Sequence, residues 1–419
     1  MQVIAFDLFA DRDAAPNTVC AATFAAIDVP LTRALRQTPG TPWMYVGGLE
    51  NHPDLIESWA KLATLWGTRA EVVRVVRDPQ LLSAAFHREG LRFPRIASQA
   101  TDRSASRWLR KPRRSGGGRG IMFWNPGDPL DPEKEYLQEY VAGRSLSGAW
   151  VADDQTVHLL GVTKQEIGDQ GNGARGFQYS GSLGPLPLGE SEQQEWIRIG
   201  KCLHGTLGLR GLFGVDAVHT EAGLYVIEVN PRYTASMELI ERATECSLVG
   251  LHRDACEPGR RLHLPAAGTG PQQPQLGEPR EEAGDKRQVG AIDSPCRKIE
   301  SPHAGATHRL HGKRIVYATR TVRVGAKLSQ AWWQRTREAA EPSPGTSPCN
   351  PHCDQTAERP GEPTWFPPLA DIPKAESIFE PQEPICTVFA TGCCEDEVRA
   401  ALAKASAEID LELDRQTPD

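Results

Sequence analysis

The residues best placed to do chemistry are two carboxylates and an amide, Asp216, Glu228 and Asn230. They lie in the run Asp216-Ala-Val-His-Thr-Glu-Ala-Gly-Leu-Tyr-Val-Ile-Glu228-Val-Asn230. Two strand-like stretches meet at Glu221-Ala222-Gly223, which reads as a three-residue hairpin loop with glycine at the left-handed position. Pairing residues symmetrically about Ala222 sets Asp216 opposite Glu228, with Cβ atoms about 5 Å apart, and puts Asn230 two residues along on the same face. Like charges directly opposed weaken a sheet unless a proton or cation offsets them. Oxygen donors in this number suit Mg²⁺ or Mn²⁺, which commonly completes its shell with water and substrate phosphates and so implies a nucleotide. A solvated hairpin is the plainer alternative, and a one-residue change in loop length would separate the two acids.

A second segment could hold phosphates. Arg113-Arg114-Ser115-Gly116-Gly117-Gly118-Arg119-Gly120 follows Lys111, and consecutive glycines let backbone N–H groups approach an anion while the cations raise the local potential. A flexible surface turn is the alternative. No G-x-x-x-x-G-K-[ST] occurs, which excludes a P-loop. Gly171-Asn-Gly173-Ala-Arg-Gly176 matches G-x-G-x-x-G in letters, but Phe177-Gln-Tyr-Ser-Gly follows it where a dinucleotide fold needs a helix. It reads as a loop over the site. Lys164, in Gly161-Val-Thr-Lys-Gln165, is a candidate second cation, and an exposed strand lysine fits it as well.

Elements must carry these groups. Val3 to Leu8 and Trp43 to Val46 read as strands, Leu55 to Leu65 as a helix, and a further helix runs from Arg77-Asp78-Pro79 to about His87. This is an α/β pattern that lacks the usual opening βα unit. Strands are predicted over 104–111, over Tyr136 to Val141 and over Val157 to Val162, with an irregular glycine-rich stretch from Gly168 to Gly184. Ser191 and Gln194 suggest a capping box before a helix through Trp196, Ile199, Leu203 and Leu207. Leu212 to Val218 and Leu224 to Val229 form the hairpin arms. Arg314 to Val324 and Pro384 to Ala390 are strand-like, and Glu395 to Ala407 is an amphipathic helix.

Composition bounds the rest. At 419 residues the chain exceeds one ordinary core, and 33 Pro with 39 Gly point to unstructured portions. These fall at 256–312, read as a disordered linker, and at an insertion of about 339–363. The net charge of −7 argues against broad nucleic-acid binding and a polybasic membrane anchor. No run reaches the roughly 18–20 apolar residues of a membrane span, so a cytoplasmic setting with reduced cysteines is expected. Cys349, His352 and Cys353 are too few for a tetrahedral zinc site.

Lys111 with its glycine loop, then Gln138-Glu139-Tyr140-Val141-Ala142-Gly143, Gly214-Val215-Asp216 and Ile227-Glu228-Val229-Asn230-Pro231-Arg232 resemble, in order, the motifs of the ATP-grasp superfamily. The resemblance covers about residues 75–245. Leu369-Ala-Asp-Ile-Pro373 and Pro384 to Ala390 are similar to the C-terminal segment of its biotin-carboxylase-related predicted ligases, a subgroup that resembles tyramine–glutamate ligases. The resemblance implies a mixed α/β and α+β fold. A truncated Rossmann-like domain (1–75) precedes a two-lobed ATP-grasp domain (76–255), and a small α+β subdomain occupies 313–419.

It further implies that ATP lies between the lobes. Lys111 would contact phosphates, Gly116, Gly117, Gly118 and Gly120 would close over them, and Glu139, Tyr140 and Val141 would hold adenine. Asp216, Glu228 and Asn230 would bind magnesium, and Arg232 would face the transferred phosphoryl or the acyl phosphate, while Lys164 stays a candidate cation near the phosphates or carboxylate. Many members place a ribose-binding acid where this sequence has Ser145. The family reaction activates a carboxylate as an acyl phosphate for attack by an amine, and the subgroup suggests a role in coenzyme biosynthesis of one-carbon metabolism. Carboxylation through carboxyphosphate and an inactive ATP sensor are the alternatives. The partners implied are small-molecule carboxylate and amine substrates.

Overall fold

The computed structural model describes residues 3–97, 107–168, 173–260, 262, 264, 309–340 and 367–416. The readings of Gly171, of Cys349, His352 and Cys353, and of most of 256–312 and 339–363 lie outside them. Of those two stretches, the described parts are ordered at their edges. A strand begins at Leu310 and a helix continues to Ala340.

The N-terminal unit pairs β1 (Ala5–Asp7) with β2 (Thr18–Cys20) in parallel and packs them on α1 (Phe24–Gln37), α2 (Pro53–Ala60) and α3 (Ala70–Val76). The stretch Trp43 to Val46, expected as a strand, makes a single bridge from Trp43 to Leu65. Its rings serve packing instead, with Trp43 edge-on to the buried Trp59 at 5.7 Å. Helix α4 (Pro79–Arg88) starts as the sequence predicts. The Asp78 carboxylate accepts from the N–H groups of Gln80 and Leu81 at 2.8 and 3.0 Å, and Pro79 occupies a first-turn position that needs no donor.

A four-stranded antiparallel sheet follows, in the order β3 (Ile96–Ala97), β6 (Glu135–Glu139), β4 (Trp108–Pro112) and β5 (Met122–Trp124). The glycine loop joins β4 to β5. The larger sheet is antiparallel throughout, in the order β11 (Gly223–Asn230), β10 (Gly211–Thr220), β7 (Arg144–Ala152), β8 (Val157–Ile167), β9 (Tyr179–Gly184), β12 (Leu310–Tyr317), β16 (Pro384–Gly392) and β14 (Leu369–Ala370). Strand β9 corrects the expectation of an irregular stretch to Gly184. Its pairing with β8 and β12 overrides a glycine-rich sequence of weak strand propensity.

Two layers cover the larger sheet. On one face, α5 (Glu190–Lys201) buries Trp196 and Ile199 against Trp150, Leu146 and Phe213, with Trp150 and Phe213 stacked at 5.5 Å. The helix is capped at Gly189, so Ser191 lies inside its first turn and the expected capping box is absent. On the other face, α6 (Met237–Thr244) and α7 (Leu248–Cys256) pack on Ala149, Val151 and Leu212. Toward the C-terminal end, β13 (Val322–Val324) pairs with β15 (Ser377–Phe379). There α8 (Ala326–Ala340) and α9 (Glu395–Asp414) enclose a separate core around Trp332, Val388 and Leu402. Helix α8 was not legible in the sequence pattern.

Candidate active site

The hairpin β10–β11 does place Asp216 opposite Glu228, but by another route than the symmetric loop. The turn holds two residues, Glu221 and Ala222, with Thr220 paired to Gly223. The ladder runs in that register as far as Ala217 opposite Val226. Ile227 is then an extra residue, and beyond this bulge Asp216 pairs with Glu228 and Gly214 with Asn230. A shorter turn and a bulge thus cancel.

The two acids differ in surroundings. Asp216 Oδ1 accepts from Gln165 Nε2 at 2.9 Å and Oδ2 from Asn230 Nδ2 at 3.1 Å. Burial, and then the Glu228 charge, push the Asp216 carboxyl up to about 6. Glu228 sits at the floor of the cleft with 30% of its side-chain surface open and is bound by the guanidinium of Arg77. Burial opposes its ionisation, yet the charges of Arg77, Lys111 and Arg232 hold it below the ordinary glutamate range. Opposed carboxylates with one acid strained toward protonation form a site whose repulsion a divalent cation would relieve, so the donors fit Mg²⁺. Asn230 turns its amide oxygen to Arg232 Nη2 at 3.2 Å, which leaves the paired acids Asp216 and Glu228 as the groups to hold an ion.

Lys111, on β4 of the smaller sheet, is 6% exposed and donates to Gln138 Oε1 at 3.0 Å. It lines one small cavity with Arg77, Ser115, Tyr136 and Glu228, so the two sheets meet at this point. The glycine loop starts at this cavity, which Arg113 and Ser115 line. Tyr179 N–H donates to the Gly117 carbonyl at 3.0 Å, and Gly118, at φ +75°, lies so close to Phe177 that a Cβ would fall 1.8 Å from its carbonyl oxygen. Gly117 and Gly120 also take positive φ, whereas Gly116 does not.

At the hinge, the N–H groups of Glu139 and Tyr140 are engaged by the carbonyls of Arg95 and Arg107 at 2.9 and 2.8 Å. Among the described residues this leaves the Val141 N–H as the remaining hinge donor. The Glu139 carboxylate pairs with Arg95. Tyr140, Phe123 and Phe177 form an aromatic cluster with centroids 5.1 to 6.3 Å apart, and Arg107 stacks on Phe123 at 3.8 Å.

The two candidate cations, Arg232 and Lys164, lie apart. Arg232 donates through Nε and Nη2 to Glu50 Oε1 at 3.0 and 2.6 Å, so a buried acid of the N-terminal unit orients it beside Asn230. Lys164 belongs to the opposite face of the sheet. Thr163 and Gln165 share the face of Ser147 and Asp216, and alternation turns Lys164 toward α9, where it pairs with Glu395.

Lys313 on β12, unnoticed in the sequence, occupies the Asp216 side instead. It lies opposite Ser182, is 4% exposed and binds Glu238 at 2.6 Å. Arg77 and Gln165, which the fold brings to the acids, and Gln138 and Glu50, which it brings to Lys111 and Arg232, carry no such signal in the sequence.

Residues 76–236 match the family model described as the ATP-grasp domain. Over 108 residues the chain is 31% identical to tyramine–L-glutamate ligase of Methanocaldococcus jannaschii, covering 26% of this chain and 32% of that protein. The aligned part is thus about a third of that relative's length. Among solved structures, the biotin carboxylase domain of 2-oxoglutarate carboxylase from Hydrogenobacter thermophilus, crystallised with MgADP and bicarbonate, superposes with TM-score 0.59 at 11% identity, covering 93% of this chain and 79% of that one. L-amino acid ligase from Bacillus licheniformis superposes with TM-score 0.57 at 13% identity, covering 96% and 88%. Domain match and fold agree: residues 76–236 match an ATP-grasp domain, and the chain shares the fold of these solved structures.

Proposed function

We propose that the protein is an ADP-forming carboxylate–amine ligase that uses Mg-ATP. The observation that carries this reading is the opposed pair Asp216 and Glu228, the second of which lines a cavity that Lys111 enters from the other sheet. The two ligase relatives support the reaction class, and the boundaries 1–75, 76–255 and 313–419 are the proposed domains.

Asp216 and Glu228 would hold the divalent ion, whose charge would offset that of the ATP phosphates. A substrate carboxylate oxygen attacks the γ-phosphorus, the bond to the bridging oxygen breaks, and ADP departs from the acyl phosphate. The amine then attacks the acyl carbon, phosphate leaves, and the ammonium proton passes to solvent. This chemistry is mainly positioning and charge stabilisation. Lys111 supplies one fixed cation, held by Gln138, and Arg232 a second, held by Glu50. The glycine loop contributes backbone donors, and the Val141 N–H with the Tyr140 cluster provides a place for adenine. Lys313 with Glu238 stands further along the same face, at the end suited to the substrates. The product's place, an amide-linked coenzyme of one-carbon metabolism, rests on the likeness to tyramine–glutamate ligase alone.

The test is ADP release and product mass from Mg-ATP with paired carboxylates and amines, beginning with L-glutamate and tyramine. An amide product that depends on both partners, lost in Glu228→Gln, is expected. ADP release driven by bicarbonate alone would support carboxylation instead. ATP binding with no turnover for any pair would make the protein a sensor.

A further inference from the structure

The guanidinium of Arg77 has no part in the reaction just described, yet it touches three separate pieces of the site. Its Nη1 contacts Glu228 Oε1, and its Nη2 donates to Asn51 Oδ1 at 3.1 Å and to the Ser115 carbonyl at 3.2 Å. The side chain is 13% exposed. Asn51 Nδ2 also donates to the Ser115 carbonyl, at 3.4 Å. One buried cation therefore joins β11, the mouth of the glycine loop and the Leu49–Asn51 turn of the N-terminal unit.

A divalent ion on Glu228 and a guanidinium on the same carboxylate compete, because both seek its oxygen lone pairs and two cations at contact distance repel. Whatever displaces Arg77 from Glu228 also moves the group that holds Ser115. By reciprocity, loosening the loop must favour the ion as much as the ion loosens the loop.

We propose that Arg77 is a positioning residue that ties the glycine loop to the Glu228 carboxylate while no ion is bound, and that a divalent ion arriving on Glu228 frees the loop to receive nucleotide phosphates. The proposal rests on the reading of Glu228 as a metal ligand. It gives the order of events, with the ion loosening the loop that the triphosphate then occupies.

The experiment uses the full chain without nucleotide. Mn²⁺ is titrated by electron paramagnetic resonance, and hydrogen exchange is followed in peptides covering 113–120. In the wild type, Mn²⁺ is expected to raise exchange in that loop. In Arg77→Gln the loop exchanges faster before any ion is added, and Mn²⁺ binds about fivefold tighter or more, because its competitor is gone. Arg77→Lys keeps a charge on Glu228 without the fork. It should loosen the loop and bind Mn²⁺ with an affinity between those of wild type and Arg77→Gln, since the competing charge stays but its tie to the loop is gone.

A role in folding alone would weaken Mn²⁺ binding in Arg77→Gln and raise exchange across the whole chain. That result, or a wild-type loop indifferent to Mn²⁺, overturns the proposal. If Glu228→Gln loses Mn²⁺ but Arg77→Gln behaves as wild type, only the role of Arg77 falls. If Glu228→Gln binds Mn²⁺ unchanged, the metal reading falls and takes the proposal with it.

Discussion

Asp216 and Glu228 face each other across β10 and β11 only because Ile227 is an extra residue in the second strand. The cost of that opposition is readable in pH. The Asp216 carboxyl is pushed up to about 6, by burial and then by Glu228. An acid whose pKa rises on folding carries no penalty below its unfolded value near 4, and a growing one as pH climbs to about 6. Asp216→Asn removes that penalty. Its melting temperature without metal should exceed wild type by roughly 2–4 °C at pH 8, with a smaller gain at pH 5. Turnover with Mg-ATP should fall by more than the roughly 10–100-fold typical of outer-shell changes at metal sites. Scanning fluorimetry at both pH values and an ADP assay check the pair. Equal melting shifts at pH 5 and pH 8 would contradict the linkage.

The Glu50–Arg232 pair predicts a different pattern. Glu50 is 1% exposed, and Arg232 is its charge partner at 2.6 Å. Glu50→Ala should cost about 3–5 kcal/mol, since it strands a buried guanidinium. Glu50→Leu with Arg232→Met should cost much less than the sum of the singles, because no unpaired charge remains. Urea unfolding measures this cycle. The double variant should still lack ADP-forming turnover, which separates the pair's structural role from the one proposed for Arg232.

Much of the fold was legible because hydrophobic alternation and turn residues act locally. Asp78-Pro79 fixed the start of α4, and the hairpin arms followed from period two. The bulge at Ile227 left no local mark, so the correct opposition was reached through a compensating error in the loop. Strand β9 was missed because its glycines pair with neighbours distant in sequence, β12 among them. Arg77, Glu50 and Lys313 escaped notice for one reason. Each lies in a segment that gives no chemical signal until the fold sets it beside a carboxylate or guanidinium from elsewhere in the chain.

Strand alternation decides between the two lysines. Lys164 points to α9 and pairs with Glu395, so Lys164→Met should leave turnover within about twofold of wild type and act mainly on the docking of that helix. Lys313 is on the Asp216 side, and Lys313→Met leaves Glu238 without its partner. It should cost about 2 kcal/mol or more in kcat/KM for a substrate bound there, with the KM for ATP little changed. Steady-state kinetics with ATP and each substrate varied in turn would show it. A large loss in Lys164→Met would mean that the face assignment does not govern catalysis.

The N-terminal segment docks on the residues that follow β14. Asp13 accepts the N–H groups of Asp371 and Ile372 at 2.9 Å each, and Arg12 N–H donates to the Ile372 carbonyl at 2.8 Å. This docking brings Asp11 among Asp7, Asp13 and Asp371. Burial first, and then those charges, push Asp11 up to about 7, with Lys374 opposing. The contribution is therefore intact below the unfolded value near 4 and is lost as pH rises toward 7. Asp11 is only partly buried, and solvent screening reduces the effect to about 1–2 kcal/mol. Asp11→Asn should thus be more stable than wild type at pH 8, by an amount that shrinks toward pH 5, in urea unfolding at the two pH values. Parallel curves for the two proteins would show that the acidic junction carries no charge strain.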